Sequence, residues 1–132
     1  MTMTSPYTQD QAAQLVGVTV EETRPGYASA SLTIRTEHLN GLGTVHGGII
    51  FLLADTVFAY VCNARGVQTV ASKCDITYHQ PAQPGDTLRA IGEERYLKGR
   101  SGIYDVVVTN QHNSVVAHFR GHSMALKPTA NP

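Results

Sequence analysis

The sequence predicts an α+β fold in which a curved antiparallel sheet of about six strands wraps around one long helix. One segment, residues 49–62, is apolar apart from an aspartate and a threonine, and it is long enough for a core helix. Six further segments carry the residue pattern of strands, and turn-forming residues separate them. With 132 residues, the chain fits one compact domain, so we expect a single domain over residues 1–132.

The chain is predicted to begin with a short helix and a hairpin. Residues 8–16 have helical character, with Ser5 or Thr8 available as a cap. Residues 18–24 and 27–35 have the pattern of strands, and a Pro-Gly turn joins them. We therefore predict a helix over about 8–16 followed by an antiparallel hairpin.

The long helix is predicted over about 47–65, because Gly66 suits the left-handed conformation that often ends a helix. Its apolar side chains point in several directions, so the helix must be enclosed rather than laid on a surface. Residues 37–45 have no periodic pattern and are predicted to form the loop before the helix. Four strands are expected to follow as a meander around the helix: 68–79, 86–97, 101–111 and 115–126.

Composition argues against several classes of function. Lysine plus arginine equals aspartate plus glutamate at 10 each without a basic run, so no nucleic-acid or membrane partner is expected. The apolar run is shorter than the roughly 20 residues that span a bilayer, and residues 1–6 lack the pattern of a secretory signal. Cys62 and Cys74 do not form a Cys-x-x-Cys pattern and are interpreted as reduced thiols of a cytoplasmic protein.

Asp55 is the first candidate for chemistry, because a carboxylate within an apolar segment must be hydrogen-bonded, paired or shifted in pKa. The N–H groups of Gly47 and Gly48, at the start of the helix, are suited to polarise a carbonyl. Eight residues separate Gly47 from Asp55, about 12 Å along a helix axis, which is too far for both to act on one carbonyl. The spacing therefore predicts a homodimer in which each helix start lies beside the partner's Asp55. The alternative is that Asp55 only anchors a loop.

A series of motifs runs in order along the chain. The motifs are Asn40-Gly41, His46-Gly47-Gly48, Leu53-Ala54-Asp55, Phe58-Ala59-Tyr60 with Cys62-Asn63, Ala71-Ser72, Pro84-Gly85-Asp86, Gly102 with Tyr104-Asp105, and Phe119-Arg120-Gly121. From about Leu32 to Met124 the chain resembles the PaaI-type acyl-CoA thioesterases of phenylacetate degradation, which have the hot-dog fold. The resemblance implies hydrolysis of an arylacetyl-CoA, such as phenylacetyl-CoA or hydroxyphenylacetyl-CoA, to the free acid and coenzyme A. It also implies a homodimer with shared active sites and a homotetramer of two such dimers.

Thioester hydrolysis needs a carboxylate and donors aimed at the developing oxyanion. Asp55 is expected to serve as nucleophile or general base, and the N–H groups of Gly47 and Gly48 as the oxyanion hole. His46 is expected to orient the substrate, or else only to fix the loop before the helix. Asn40 is expected to hydrogen-bond near the thioester or position the water, although an asparagine before glycine is more often a turn residue.

Substrate-binding candidates follow from the same resemblance. The pantetheine arm is expected to lie between the long helix and the next strand, while the phosphates rest on surface cations. An aromatic side chain of the helix, Phe58 or Tyr60, is expected to line the aryl pocket, or else to be plain core. The remaining candidates are Val70, Ala71, Ser72, Lys73, Lys98, Gly99 and Arg100.

The six histidines do not predict a metal site. His118 and His122 share a strand face but lie about 13 Å apart by strand rise, too far for one ion. No cofactor other than the coenzyme A of the substrate is expected. Three alternatives to the arylacetyl-CoA enzyme remain open: a broader medium-chain acyl-CoA thioesterase, a hydratase or dehydratase using His46 with Asp55, and a non-catalytic acyl-CoA-binding domain.

Overall fold

A computed structural model describes residues 10–126 and places one six-stranded antiparallel sheet around one long helix. The elements are α1 Gln11–Val16, β1 Thr19–Arg24, β2 Tyr27–Thr33, α2 Gly47–Asn63, β3 Thr69–Tyr78, β4 Thr87–Lys98, β5 Ser101–Thr109 and β6 Val115–Ala125. The predicted hot-dog architecture, with about six strands, a long central helix and a short first helix, is confirmed. The single domain over residues 1–132 stays a prediction, because the first nine and last six residues lie outside the described range.

Both helices are shorter than predicted. Helix α1 begins at Gln11 because Asp10 caps it, its side chain accepting a hydrogen bond from the Ala13 N–H at 3.0 Å. The caps expected from the sequence, Ser5 and Thr8, lie outside the described residues. Helix α2 ends at Asn63, two residues early, because the Asn63 side chain exchanges hydrogen bonds of 2.9 and 3.0 Å with the backbone of Thr69.

The predicted meander is wrong for β3. The sheet order is β1-β2-β4-β5-β6-β3, so β3 pairs with β6 and β2 pairs with β4. The reason is that α2 crosses the sheet between β2 and β3, which carries the chain to the far edge and leaves the edge of β2 free for β4. Strand β3 consequently forms one edge of the sheet, with β6 as its partner on one side and no described strand on the other.

The sheet lies close enough to α2 that glycines are required at the contacts. A Cβ added at Gly121 would lie 2.5 Å from the ring of Phe58, and one added at Gly92 would lie 2.7 Å from Val57. Because the interior is close-packed, these glycines let the curved sheet approach the helix. Among residues 10–126, no helix is both long and apolar enough to cross a membrane.

Candidate active site

Asp55 lies at the middle of α2, on a strip of the helix that the sheet does not bury. Its neighbours on this strip are Gly48, Leu52 and Ala59, which are exposed or half-buried like Asp55 itself. Spacings of four, three and four residues place the four positions on one side of a helix. We call them the open strip of α2, and it has the spacing of a surface that packs against another helix.

The environment of Asp55 favours its protonated form. Partial burial and, to a smaller extent, the negative charge of Asp10 raise the pKa of the Asp55 carboxyl above its ordinary value. Within residues 10–126 no donor or cation pairs with this carboxylate. The alternative that Asp55 anchors a loop therefore has no support in the described chain. A carboxylate with a raised pKa and no partner is a stronger base and nucleophile than an ordinary one.

The two N–H groups that the sequence predicts as oxyanion donors, those of Gly47 and Gly48, have different surroundings at the start of α2. His46 is the N-cap, and its Nδ1 accepts a hydrogen bond of 2.8 Å from the Gly48 N–H. The N–H of Gly47 has no acceptor in the described chain, while the Gly47 carbonyl accepts a hydrogen bond of 2.8 Å from the Tyr78 hydroxyl. Of the two expected oxyanion donors, Gly47 is the one whose N–H has no acceptor in residues 10–126, and His46 caps the helix start.

Asn40 is used within its own loop. Its Oδ1 accepts hydrogen bonds from the N–H groups of Leu42 and Thr44 at 2.9 and 3.2 Å, and its Nδ2 donates to the Thr44 hydroxyl at 3.0 Å. These bonds match the turn residue that the sequence left as the alternative, and the expected contact with the thioester stays a prediction. Asn40 therefore shapes the loop that leads to His46.

The substrate-binding candidates on β3 lie at the opposite end of α2 from Gly47. Tyr78, the last residue of β3, contacts Gly47, whereas Thr69, its first, contacts Asn63. Val70, Ala71 and Ser72 directly follow Thr69 and therefore lie near the carboxyl end of the helix, where they are exposed. One chain cannot bring these residues and its own Gly47 to the same thioester.

The turn between β4 and β5 lies at the same end of the sheet as Val70. Met124 of β6 pairs with Val70 on one side and with Ser101 on the other, so the turn is two strand spacings from β3, roughly 10 Å. The structure thus brings Val70–Ser72 and residues 98–100 together. In the turn, Gly99 has a positive φ of 60°, and Arg100 donates to the Ala125 carbonyl at 2.9 Å. Lys73 is exposed on β3.

Phe58 does not line a pocket. It is 1% exposed, and its ring packs against Tyr104 and Phe119 with centroids 5.8 Å apart in each case. The expectation of a pocket-lining role is therefore wrong, and Phe58 is core. Tyr60 is half-buried and lines a cavity of about 460 Å³ between α1, β1 and α2.

Two residues of the site were missed from the sequence. Tyr78 contacts Gly47 but lies 31 positions away in the sequence, so no local sequence pattern could reveal the contact. Asp10 was detectable, because aspartate before a helical segment is a preferred N-cap. No group of three or more histidine, cysteine, aspartate or glutamate side chains within residues 10–126 is arranged to hold a metal ion.

Comparison with known proteins gives consistent matches. A family model described as the thioesterase superfamily matches residues 42–117. Acyl-coenzyme A thioesterase PaaI of Escherichia coli K12 is 40% identical over 117 residues, covering 89% of this chain and 84% of that protein. The solved E. coli PaaI protein, from the phenylacetic acid degradation operon, has a TM-score of 0.89 at 38% identity over 95% of this chain and 91% of its own. The smu.793 protein of Streptococcus mutans UA159, solved bound to acetyl CoA, has a TM-score of 0.81 at 25% identity. The match covers 86% of this chain and 92% of that protein.

Proposed function

This chain belongs to the thioesterase superfamily and is an acyl-CoA thioester hydrolase of the PaaI type, and we propose that its substrate is an arylacetyl-CoA. Phenylacetyl-CoA and hydroxyphenylacetyl-CoA are the expected members of this class. Support for the aryl preference comes from the 40% identical PaaI enzyme and from the phenylacetic acid degradation operon of its solved structure. The observation that carries the proposed site is the unpaired Asp55 carboxylate on the open strip of α2.

In the proposed reaction, the Gly47 N–H donates to the thioester carbonyl oxygen and stabilises the negative charge that develops there. The Asp55 carboxylate either attacks the carbonyl carbon, forming an anhydride that water then opens, or takes a proton from water that attacks directly. In both routes the carbon–sulfur bond breaks and coenzyme A leaves as the thiol. Neither route needs a metal or a further cofactor.

Two chains supply each proposed site. Asp55 and Gly47 lie about 12 Å apart on one continuous helix, so the Gly47 N–H that serves an Asp55 must come from a partner. If each Gly47 lies beside the partner's Asp55, the two-fold axis passes near the residue midway between them, Phe51. The open strip of α2 then contacts its own copy. The free edge of β3 supports this arrangement, because an exposed edge strand can pair with a second copy.

We place the acyl group in a cavity of about 330 Å³ that opens beside Gly47. Its lining includes Val45, Ile50, Tyr78 and Pro81, which offers apolar surface to an aryl ring. The pantetheine arm would run from Asp55 along α2 towards Asn63. There it would pass Val70–Ser72 and reach the turn at residues 98–100.

We further propose a cytoplasmic homotetramer of two such dimers. Cys62 and Cys74 are free thiols, which suits a reducing compartment. Sedimentation equilibrium tests the assembly, and a monomer at micromolar concentration would contradict both the tetramer and the shared site.

A screen of acyl-CoA thioesters tests the substrate class. The thiol released from phenylacetyl-, hydroxyphenylacetyl-, acetyl-, octanoyl- and palmitoyl-CoA is measured under steady-state conditions. We expect the two aryl substrates to have the highest kcat/KM. A higher kcat/KM for octanoyl-CoA would instead show a medium-chain thioesterase, and binding without hydrolysis of any substrate would show an acyl-CoA-binding domain.

Replacing Asp55 tests the site separately from the substrate class. Asp55→Ala is expected to abolish hydrolysis while acyl-CoA still binds, and Glu22→Gln, which removes an exposed carboxylate on β1, is the matched control. Full activity of Asp55→Ala would refute the proposed site. A single turnover in oxygen-18 water then distinguishes the two routes, because label in the Asp55 carboxylate requires attack by that side chain.

A further inference from the structure

Tyr78 links the end of β3 to the start of α2. Its hydroxyl donates a hydrogen bond of 2.8 Å to the Gly47 carbonyl. We propose that Tyr78 is a positioning residue, whose hydroxyl holds the first turn of α2 so that the Gly47 N–H points at the thioester oxygen. This role rests on the proposed function, in which the Gly47 N–H is the oxyanion donor.

Backbone hydrogen bonds alone hold the first turn of α2 weakly. Its first two residues, Gly47 and Gly48, are both glycine, which loses more conformational freedom on ordering than any other residue. The bond from the Ile50 N–H to the His46 carbonyl, which begins the α-helical pattern, is long at 3.4 Å. The bond from the Ile49 N–H to the same carbonyl is shorter, 2.9 Å, but has the spacing of a 3₁₀ turn. Side-chain contacts are therefore needed to fix the backbone at Gly47.

Two side chains fix the peptide group that joins Gly47 to Gly48. Tyr78 donates to its carbonyl oxygen, and His46 Nδ1 accepts from its N–H at 2.8 Å. Because both ends of this peptide group are bound, rotation about the Cα of Gly47 is restricted, and the direction of the Gly47 N–H is fixed with it. An oxyanion donor is effective when it is aimed in advance, so the loss of either contact should weaken it.

The position and the protonation of Tyr78 both suit this role. Tyr78 is the last residue of β3 and pairs with Ala117 of β6, which is fully buried. Partial burial raises the pKa of the Tyr78 hydroxyl above its ordinary value of 10.0, so the hydroxyl keeps its proton at neutral pH. A tyrosine hydroxyl has one proton to donate, and Tyr78 donates it to the Gly47 carbonyl. The hydroxyl therefore acts through Gly47 and not on the substrate.

The kinetics of Tyr78→Phe test the role, because this change removes the hydroxyl and keeps the ring that lines the acyl cavity. We expect kcat for phenylacetyl-CoA to fall roughly tenfold at unchanged KM, since a misdirected donor weakens transition-state stabilisation and not binding. In the Gly47→Pro background, which already lacks the N–H, the same change should lower kcat less than about twofold. Tyr27→Phe is the matched control and should keep kcat, because the adjacent Gly26 lies near Arg65, just beyond the far end of α2.

Nuclear magnetic resonance tests the positioning without any reaction. The full-length protein is labelled with nitrogen-15 at its 12 glycines only, and the Gly47 signal is identified by its absence from the Gly47→Ala spectrum. We expect the order parameter of the Gly47 N–H to fall from about 0.85 in the unmodified protein to below about 0.6 in Tyr78→Phe. The order parameter of Gly92, in the core of the sheet, should stay the same. Thermal unfolding establishes that each variant is folded.

Two results would overturn the positioning role. An unchanged order parameter at Gly47 in Tyr78→Phe would do so even if the protein hydrolysed no thioester, which separates this role from the proposed function. An equal fall in kcat with and without the Gly47 N–H would also do so, because the Tyr78 hydroxyl would then act on another group.

Discussion

Replacing Gly47 with proline removes one backbone N–H, and the backbone conformation at the start of α2 is otherwise compatible with proline. Gly47 is the first residue of α2, a position where proline is common because its missing N–H has no partner within the helix. The preceding residue, His46, already has φ −61° and ψ 133°, the extended conformation that a residue before proline prefers. Gly47→Pro therefore deletes the proposed oxyanion donor with little other change.

The matched control is Gly47→Ala. A Cβ at this position lies 3.3 Å from the ring of Tyr78 in either variant, so the crowding at Cβ is the same in both. Tyr78 is 47% exposed, and its ring can move by the few tenths of an ångström that the contact requires. The alanine variant keeps the N–H, and the comparison of the two isolates the loss of that donor.

Removal of one oxyanion donor lowers kcat by about a hundred- to a thousand-fold, or about 2.7–4 kcal/mol of transition-state stabilisation. We expect this loss for Gly47→Pro and a loss of less than about tenfold for Gly47→Ala. Release of coenzyme A from phenylacetyl-CoA, followed with a thiol reagent, measures both. Because Gly48 already donates to His46, no second N–H at the helix start compensates. Similar kcat values for the two variants would refute the assignment of Gly47 as the oxyanion donor.

Three further predictions concern Asp55, Asp10 and Phe58. Asp55→Asn should raise the thermal midpoint at pH 7, because the pKa of Asp55 is raised and its ionisation opposes folding. The gain should vanish as pH falls towards the ordinary value of 3.8, and an equal gain at pH 3 would contradict this cause. Asp10→Asn keeps the cap of α1 but removes a charge that raises the pKa of Asp55, so the acid limb of the kcat/KM profile should move to lower pH; an unmoved limb would exclude the coupling. Phe58→Leu should lower the free energy of unfolding by about 1–3 kcal/mol, because Phe58 is buried in the core. It should leave the ratio of kcat/KM for phenylacetyl-CoA to kcat/KM for octanoyl-CoA unchanged. An altered ratio at unchanged stability would instead show that Phe58 contacts the acyl group.

Local patterns predicted the elements of the fold well. The apolar run around Asp55 specified α2. Gly66 has the expected left-handed conformation, with a φ of 84°, but it does not close the helix, which ends at Asn63 with Ala64 as its C-cap. Pro-Gly and Lys-Gly-Arg turns separated strands at nearly the observed positions. The order of strands was not predictable in this way. The pairing of β3 with β6 depends on the edge of the sheet to which α2 carries the chain after β2.

The sequence supplied the candidate residues of the site, but it did not show the hydrogen-bond partners that they have in the structure. Sequence spacing separated Gly47 from Asp55 correctly, since a helix has a fixed rise. It could not show that His46 accepts a hydrogen bond from the Gly48 N–H, or that Asn40 forms hydrogen bonds within its own loop. Both sets of hydrogen bonds depend on side-chain orientation. The burial of Phe58 was ambiguous because apolar residues of this helix point in several directions.

Mixing two inactive variants tests the shared site most directly. Asp55→Ala and Gly47→Pro are each expected to be inactive, because every site lacks one essential group. When the two chains are co-expressed, half of the dimers contain one of each, and each mixed dimer has one site in which both groups are intact. We expect recovery of about a quarter of the unmodified activity from random pairing. Activity no higher than that of the separate variants would show that Gly47 and Asp55 of one chain serve the same site, and would contradict a site shared between two chains.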